Sequence, residues 1–125
     1  MLKVSRQSAE HVEDHGPVED RHQDGDGYTI NFVTFGADVD ATPLLKGLPG
    51  DNCQCPHWGY VIKGRLTVRY GDKEEVIGAG EAFYMPPGHT PAATAGTEIV
   101  QFSPTDQIQA VEEAIARAMQ QTAGA

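Results

Sequence analysis

The sequence predicts an all-β domain, an antiparallel sandwich or barrel, followed by one C-terminal α-helix. Three observations predict it. Short alternating runs rich in β-branched and aromatic residues recur from Tyr28 to Phe102, separated by Gly and Pro clusters. After Pro104 the apolar residues change to helical spacing. The 125-residue length suits one core and is too short for two.

The elements follow in order. Residues 1–27 read as an acidic, His-containing arm, with Glu10, Glu13, Asp14, Glu19, Asp20, Asp24 and Asp26 interleaved with His11, His15 and His22. So few apolar residues predict a solvated arm laid over the domain. Asp24-Gly25-Asp26-Gly27 is a turn signal. The barrel is placed at residues 28–104. Tyr28 to Phe35 alternates as a strand, and Gly47-Leu48-Pro49-Gly50-Asp51-Asn52 is a dense turn cluster. Strands are predicted at Trp58–Ile62, Leu66–Tyr70, Glu75–Ile77, Ala82–Met85, Ala92–Ala95 and Glu98–Phe102. Residues 105–125 form the C-terminal helix, with Ile108, Val111, Ile115, Ala118 and Met119 on one face, Asp106 in the first turn and a frayed Ala123-Gly124-Ala125 end.

Charge excludes some partners. Asp and Glu outnumber Lys and Arg 18 to 9, for a formal charge of −9. Nucleic acid and anionic membranes both require clustered Lys/Arg, so neither is an expected partner. No apolar run approaches the roughly 18 residues of a membrane span. The first residues lack the apolar core of a signal peptide, which makes the cytoplasm the expected location.

One stretch organises the chain: Cys53-Gln54-Cys55-Pro56-His57-Trp58-Gly59-Tyr60-Val61. It holds both cysteines and one of the two histidines outside the arm. Alternate residues of an extended chain share a side, so Cys53, Cys55 and His57 form a line of soft and borderline ligands. A disulfide across one residue would be strained, which leaves free thiols or metal ligands. Geometry sets a limit. In a straight strand Cys53 and His57 stand about 13 Å apart, and one ion would need a bend at Pro56 to reach both.

The turn residues from Gly47 to Pro91 resemble those of the cupin superfamily. Gly80, Pro86 and Gly88 match its second motif, whose histidine falls at Pro91, with His89 two residues earlier on the same side. Gly64 matches the end of the first motif, whose acidic position is His57. The motif's two histidines fall at Cys53 and Cys55, or at Asp51 and Cys53, depending on the length of the connection to His57. The resemblance implies a double-stranded β-helix, or jelly-roll, barrel. The pattern also looks like small bacterial cupins that lack the usual ligand set.

Two functional expectations follow. In one, a divalent transition metal (Zn, Fe or Cu) is held by ligands drawn from Cys53, Cys55, His57 and His89, beside a small organic molecule and with a metal-dependent reaction as one outcome. In the other, the pocket is a metal-free ligand-binding or sensor module lined by His57, His89 and aromatics drawn from Trp58, Tyr60, Phe83 and Tyr84, of which strand parity puts only some inside. The bland alternative is that Cys53, Cys55 and His57 only fill a barrel end. Glu98 is the one acid of the core region that stands out, with an exposed strand position as its simpler explanation. Exposed edge strands imply a homodimer.

Overall fold

The fold is two antiparallel sheets closed around an apolar interior. A computed structural model describes residues 2–123; Gly124 and Ala125 of the expected frayed end lie outside the described residues. The strands are β1 (His11–Asp14), β2 (Val18–Gly25), β3 (Tyr28–Phe35), β4 (Val39–Asp40), β5 (His57–Lys63), β6 (Arg65–Tyr70), β7 (Lys73–Gly78), β8 (Ala82–Met85), β9 (Thr90–Ala93) and β10 (Glu98–Pro104), and the helix is α1 (Thr105–Ala123). One sheet has the order β1-β2-β3-β10-β5-β8 and the other β4-β9-β6-β7. This is the jelly-roll expected from the sequence.

Alternation explains the core. Val61 on β5, Leu66 and Val68 on β6, Phe83 and Met85 on β8 and Ile99 on β10 turn inward and pack as one cluster. Fully burying such a side chain stabilises the fold by about 1.5–3 kcal/mol. A second cluster sits where α1 meets the barrel. Ile108 and Val111 pack against Leu45, Cys53 and Cys55, with Ile115 partly covered. The helical spacing read from the sequence therefore seats α1 over the end of the barrel that carries the organising stretch.

The acidic arm is corrected by the structure. Residues 11–25 are not a separate arm but β1 and β2 of the six-stranded sheet, with β2 paired to β3 along its whole length. Composition misleads here because a strand added to an existing edge gains backbone hydrogen bonds without apolar residues of its own. Asp26 (φ 54°) and Gly27 (φ +82°) make the two-residue turn that returns the chain from β2 to β3. The inward carboxylate of Asp20 accepts hydrogen bonds from Asn31 instead of water.

Of the four candidate aromatics, parity places one inside. Phe83 is inside, but Trp58 (63% exposed), Tyr60 and Tyr84 stand on the outer face of the sheet. Strand parity decides this: His57 points inward, so its neighbour Trp58 points out. Trp58 is opposite Phe102 on β10 and Tyr84 on β8, and its ring lies 4.7 Å from that of Tyr84. With Ile62 these residues form an exposed apolar face. Glu98 does sit near the surface, where Arg6 donates to it at 3.3 Å.

Gly64 carries the tight reversal between β5 and β6 at φ +79°, and a Cβ there would lie 2.7 Å from the Thr97 Cα. Left-handed strain and a backbone clash act together, so Gly64→Ala should lower unfolding free energy by about 2–4 kcal/mol in urea titration. Gly47, at φ +95° with open space where a Cβ would stand, should lose only about 1–2 kcal/mol when changed to Ala.

Candidate metal centre

The organising stretch is not a straight strand. Two short 3-10 turns, Thr42–Leu44 and Pro49–Asp51, deliver the chain to Cys53. Cys53 then forms an isolated antiparallel bridge with His89. Its N–H donates to the His89 carbonyl at 2.9 Å, and its own carbonyl accepts from Gly88 N–H at 2.9 Å. Gly88, at φ +97°, completes the Pro86-Pro87-Gly88 reversal that makes this approach possible. Past Pro56 the chain enters β5 at His57. The bend that one ion would require is therefore present.

Three of the four sequence-predicted ligands meet. Ligand atoms of Cys53, His57 and His89 all lie within 4.8 Å of one another, and all three residues are buried. Cys53 Sγ is 3.5 Å from His57 Nε2. The two imidazole centroids are 4.9 Å apart with the rings at 64°. Cys55 stands apart from this group. Its thiol donates to the Pro56 carbonyl at 3.5 Å, and it packs beneath α1 with Ile108 and Val111. Asp51, the alternative first-motif position, is exposed, and its carboxylate accepts from Gly47 N–H. Cys53 is common to both possible registers.

Outer hydrogen bonds fix both rings. His89 Nδ1–H donates to the Pro86 carbonyl at 2.8 Å. That bond sets the tautomer and leaves Nε2 as a bare acceptor. Nε2 is buried and has no hydrogen-bond partner. His57 Nδ1 is 2.7 Å from Ser103 Oγ, from the inward face of β10. Metal-binding histidines are oriented in this way, one nitrogen fixed by a neighbour and the other free. Ser103 escaped sequence reading because only the β5–β10 register brings it beside His57.

The cluster is neutral as it stands. Burial, with His89 adding to it, pushes the His57 pKa down to about 3. Burial also lowers His89, against the bond to Pro86. Burial pushes Cys53 up to about 11 and Cys55, with Cys53 beside it, to about 12. Cys53 is therefore a thiol at neutral pH and a poor nucleophile on its own. A bound cation reverses this balance, because a coordinating thiol loses its proton.

The cluster opens onto a cavity of about 190 Å³ whose walls include Val33, Leu45, Leu66, Met85 and Ile99. An apolar cavity of about 150 Å³ takes benzene, so this one has room for a single-ring molecule with a substituent.

Residues 53–101 match the family described as Cupin domain. Solved structures agree on the fold. A protein of unknown function from Rhizobium leguminosarum is 21% identical, covers 82% of this chain and 95% of its own, and has a TM-score of 0.58. The barrel has the cupin fold. An RmlC-like cupin from Shewanella frigidimarina is 22% identical over 75% of this chain and 83% of its own, with a TM-score of 0.53. The polyketide cyclase RemF from Streptomyces resistomycificus is 17% identical over 83% and 79%, with a TM-score of 0.57. No curated protein sequence matches the chain. The matched residues include Gly64, Gly80, Pro86 and Gly88 together with Cys53, His57 and His89.

The two buried histidines predict acid sensitivity of the metal-free protein. Their folded pKa values lie below the unfolded 6.5, so their contribution is complete above 6.5 and is lost as pH falls toward 3. Asp20 and Glu112, whose pKa values are raised, act in the opposite sense. For His57 alone the loss between pH 7 and pH 5 is on the order of 2 kcal/mol. Urea titrations of chelator-treated protein should show this decline, and His57→Asn should flatten it. Equal slopes in the two proteins would contradict the burial of a neutral His57.

Proposed function

We propose that this cupin binds one transition-metal ion through Cys53, His57 and His89, and that the adjoining cavity admits a small organic molecule. One observation carries the proposal: His89 Nε2 is a buried acceptor without a partner, turned free by the Pro86 bond, beside a thiol and a second imidazole. Leaving a buried acceptor unpaired costs about 1–3 kcal/mol, which a metal–nitrogen bond offsets. A Cys/His/His set suits Zn, Fe or Cu, and three protein ligands leave a coordination position for a ligand. A bound ion would supply Lewis acidity, or redox capacity if it is Fe or Cu. The chain's own part is separate: Ser103 and the Pro86 carbonyl hold the rings, and the apolar walls exclude water. A reducing cytoplasm, the expected location, keeps Cys53 available as a ligand. RemF, a polyketide cyclase, has a similar fold, so an enzymatic reaction in the cavity lies within the range of that fold.

A metal-free ligand-binding or sensor module is the second reading. It is favoured by the 3.5 Å contact in which Cys53 and His57 satisfy each other without an ion. Elemental analysis of tag-free protein separates the two. The metal reading expects about one equivalent after reconstitution, lost on Cys53→Ser or His89→Ala and retained on Cys55→Ser. Ser103→Ala should weaken metal affinity about 10- to 100-fold, as removal of an orienting partner does. Less than a tenth of an equivalent in the reconstituted wild type would leave only the metal-free module.

The expected homodimer is proposed to form through the outer face of Trp58, Tyr60, Ile62, Tyr84 and Phe102. A second copy would bury this exposed apolar face against its own like, and apolar burial would have to outweigh the repulsion between chains of charge −9. Light scattering after size exclusion should give twice the chain mass, and a Trp58→Glu/Tyr84→Glu variant should run as a folded monomer. A monomeric wild type would end this proposal.

A further inference from the structure

The cavity carries a second polar group, on elements that give nothing to the metal cluster. Asp20 on β2, Asn31 on β3 and Glu112 on α1 all line it. Asn31 is only 2% exposed. Its side-chain nitrogen lies 3.0 and 3.2 Å from the Asp20 oxygens and 3.1 Å from Glu112 Oε1. Two carboxylates demand the donor end of the amide, so its orientation follows from its neighbours. That leaves Asn31 Oδ1 buried with no hydrogen-bond partner.

The group offers acceptors and lacks a fixed cation. Among the described residues that line the cavity there is no Lys or Arg. The nearest titratable neighbours are His22, whose Nδ1 is 3.2 Å from Asp20 Oδ2, and Glu13. Burial raises the pKa of both acids, and Asp20 raises Glu112 further, while His22 acts the other way on both. An anionic ligand would face two acidic side chains and a bare amide oxygen, with no Lys or Arg among the described residues of the cavity wall. A ligand with a charged N–H donor would satisfy Asn31 Oδ1 and both carboxylates, and charge-assisted hydrogen bonds of this kind are the strong ones. Beyond the polar group the walls are apolar, with Val33 and Phe35 on β3 and Ile115 on α1.

We infer that Asp20, Asn31 and Glu112 form a recognition site for the ammonium group of a small apolar amine, whose apolar body fills the rest of the cavity. This rests on the reading of the cavity as a ligand site and is independent of the metal. The competing account is that the three residues only fasten α1 to the sheet.

Calorimetry of the full chain after chelator treatment tests it, with benzylamine, benzyl alcohol and benzoate as probes. Benzylamine should bind at least about tenfold more tightly than benzyl alcohol, and benzoate should not bind. Glu112→Gln and Asp20→Asn should each remove that preference while benzyl alcohol affinity stays within about twofold. A network that only fastens the helix would change stability and leave the ranking of probes alone. Wild type that ranks the probes otherwise, binds none of them, or keeps its preference in both variants overturns the inference. If neither variant folds, the wild-type ranking decides. Cys53→Ser should keep the amine preference while losing metal, so failure of the metal reading and failure of this one are distinguishable.

Discussion

The site depends on one backbone pairing, the bridge between Cys53 and His89. Those residues are separated by the whole of β5 through β8, and nothing local would bring them together. The pairing needs the chain to reverse at Pro86-Pro87-Gly88 and to arrive at Cys53 through two short 3-10 turns. It also aligns the Cys53 thiol with the first inward residue of β5. Remove the bridge, and His57 and His89 become two buried bases with nothing to share.

The electrostatics of the cluster follow from where the bridge sits. It lies beneath α1, against Leu45, Ile108 and Val111, and is closed to bulk water. Burial there keeps a thiol protonated and imidazoles neutral, which is the lowest-cost arrangement for titratable groups in an apolar setting. The same neutrality makes metal binding a proton exchange: the thiol proton leaves and the cation takes its place. The bond from His89 Nδ1 to Pro86 decides which nitrogen faces that exchange.

Much of the fold was legible because it is written in turn residues and alternation. Gly64, Gly80, Pro86 and Gly88 mark reversals that only certain backbones allow, and β5, β6, β8 and β10 show inward and outward residues in turn. What was hidden depends on pairing across the sheet. The acidic segment reads as solvated because its stability comes from the free edge of β3, which composition does not reveal. Parity allowed only some of Trp58, Tyr60, Phe83 and Tyr84 inside, but which ones depended on the inward turn of His57, which only the folded register fixes. Of the candidate ligands, Cys53, His57 and His89 were brought together only once the chain bent ahead of β5, where straight-strand spacing kept them apart. Cys55 shares a pattern with Cys53, but the bend turns it toward α1. Ser103 and Asn31 carried no sequence signal at all, being ordinary polar residues whose partners are far away in the chain.

The coordination shell of a loaded ion tests this account most directly. X-ray absorption on the zinc-reconstituted protein resolves ligand type and number, since zinc–sulfur and zinc–nitrogen bonds differ at about 2.3 Å and about 2.0–2.1 Å. The account predicts one sulfur and two imidazole nitrogens in the first shell, with the sulfur lost in Cys53→Ser and kept in Cys55→Ser. A shell with two sulfurs, or with none, would contradict it.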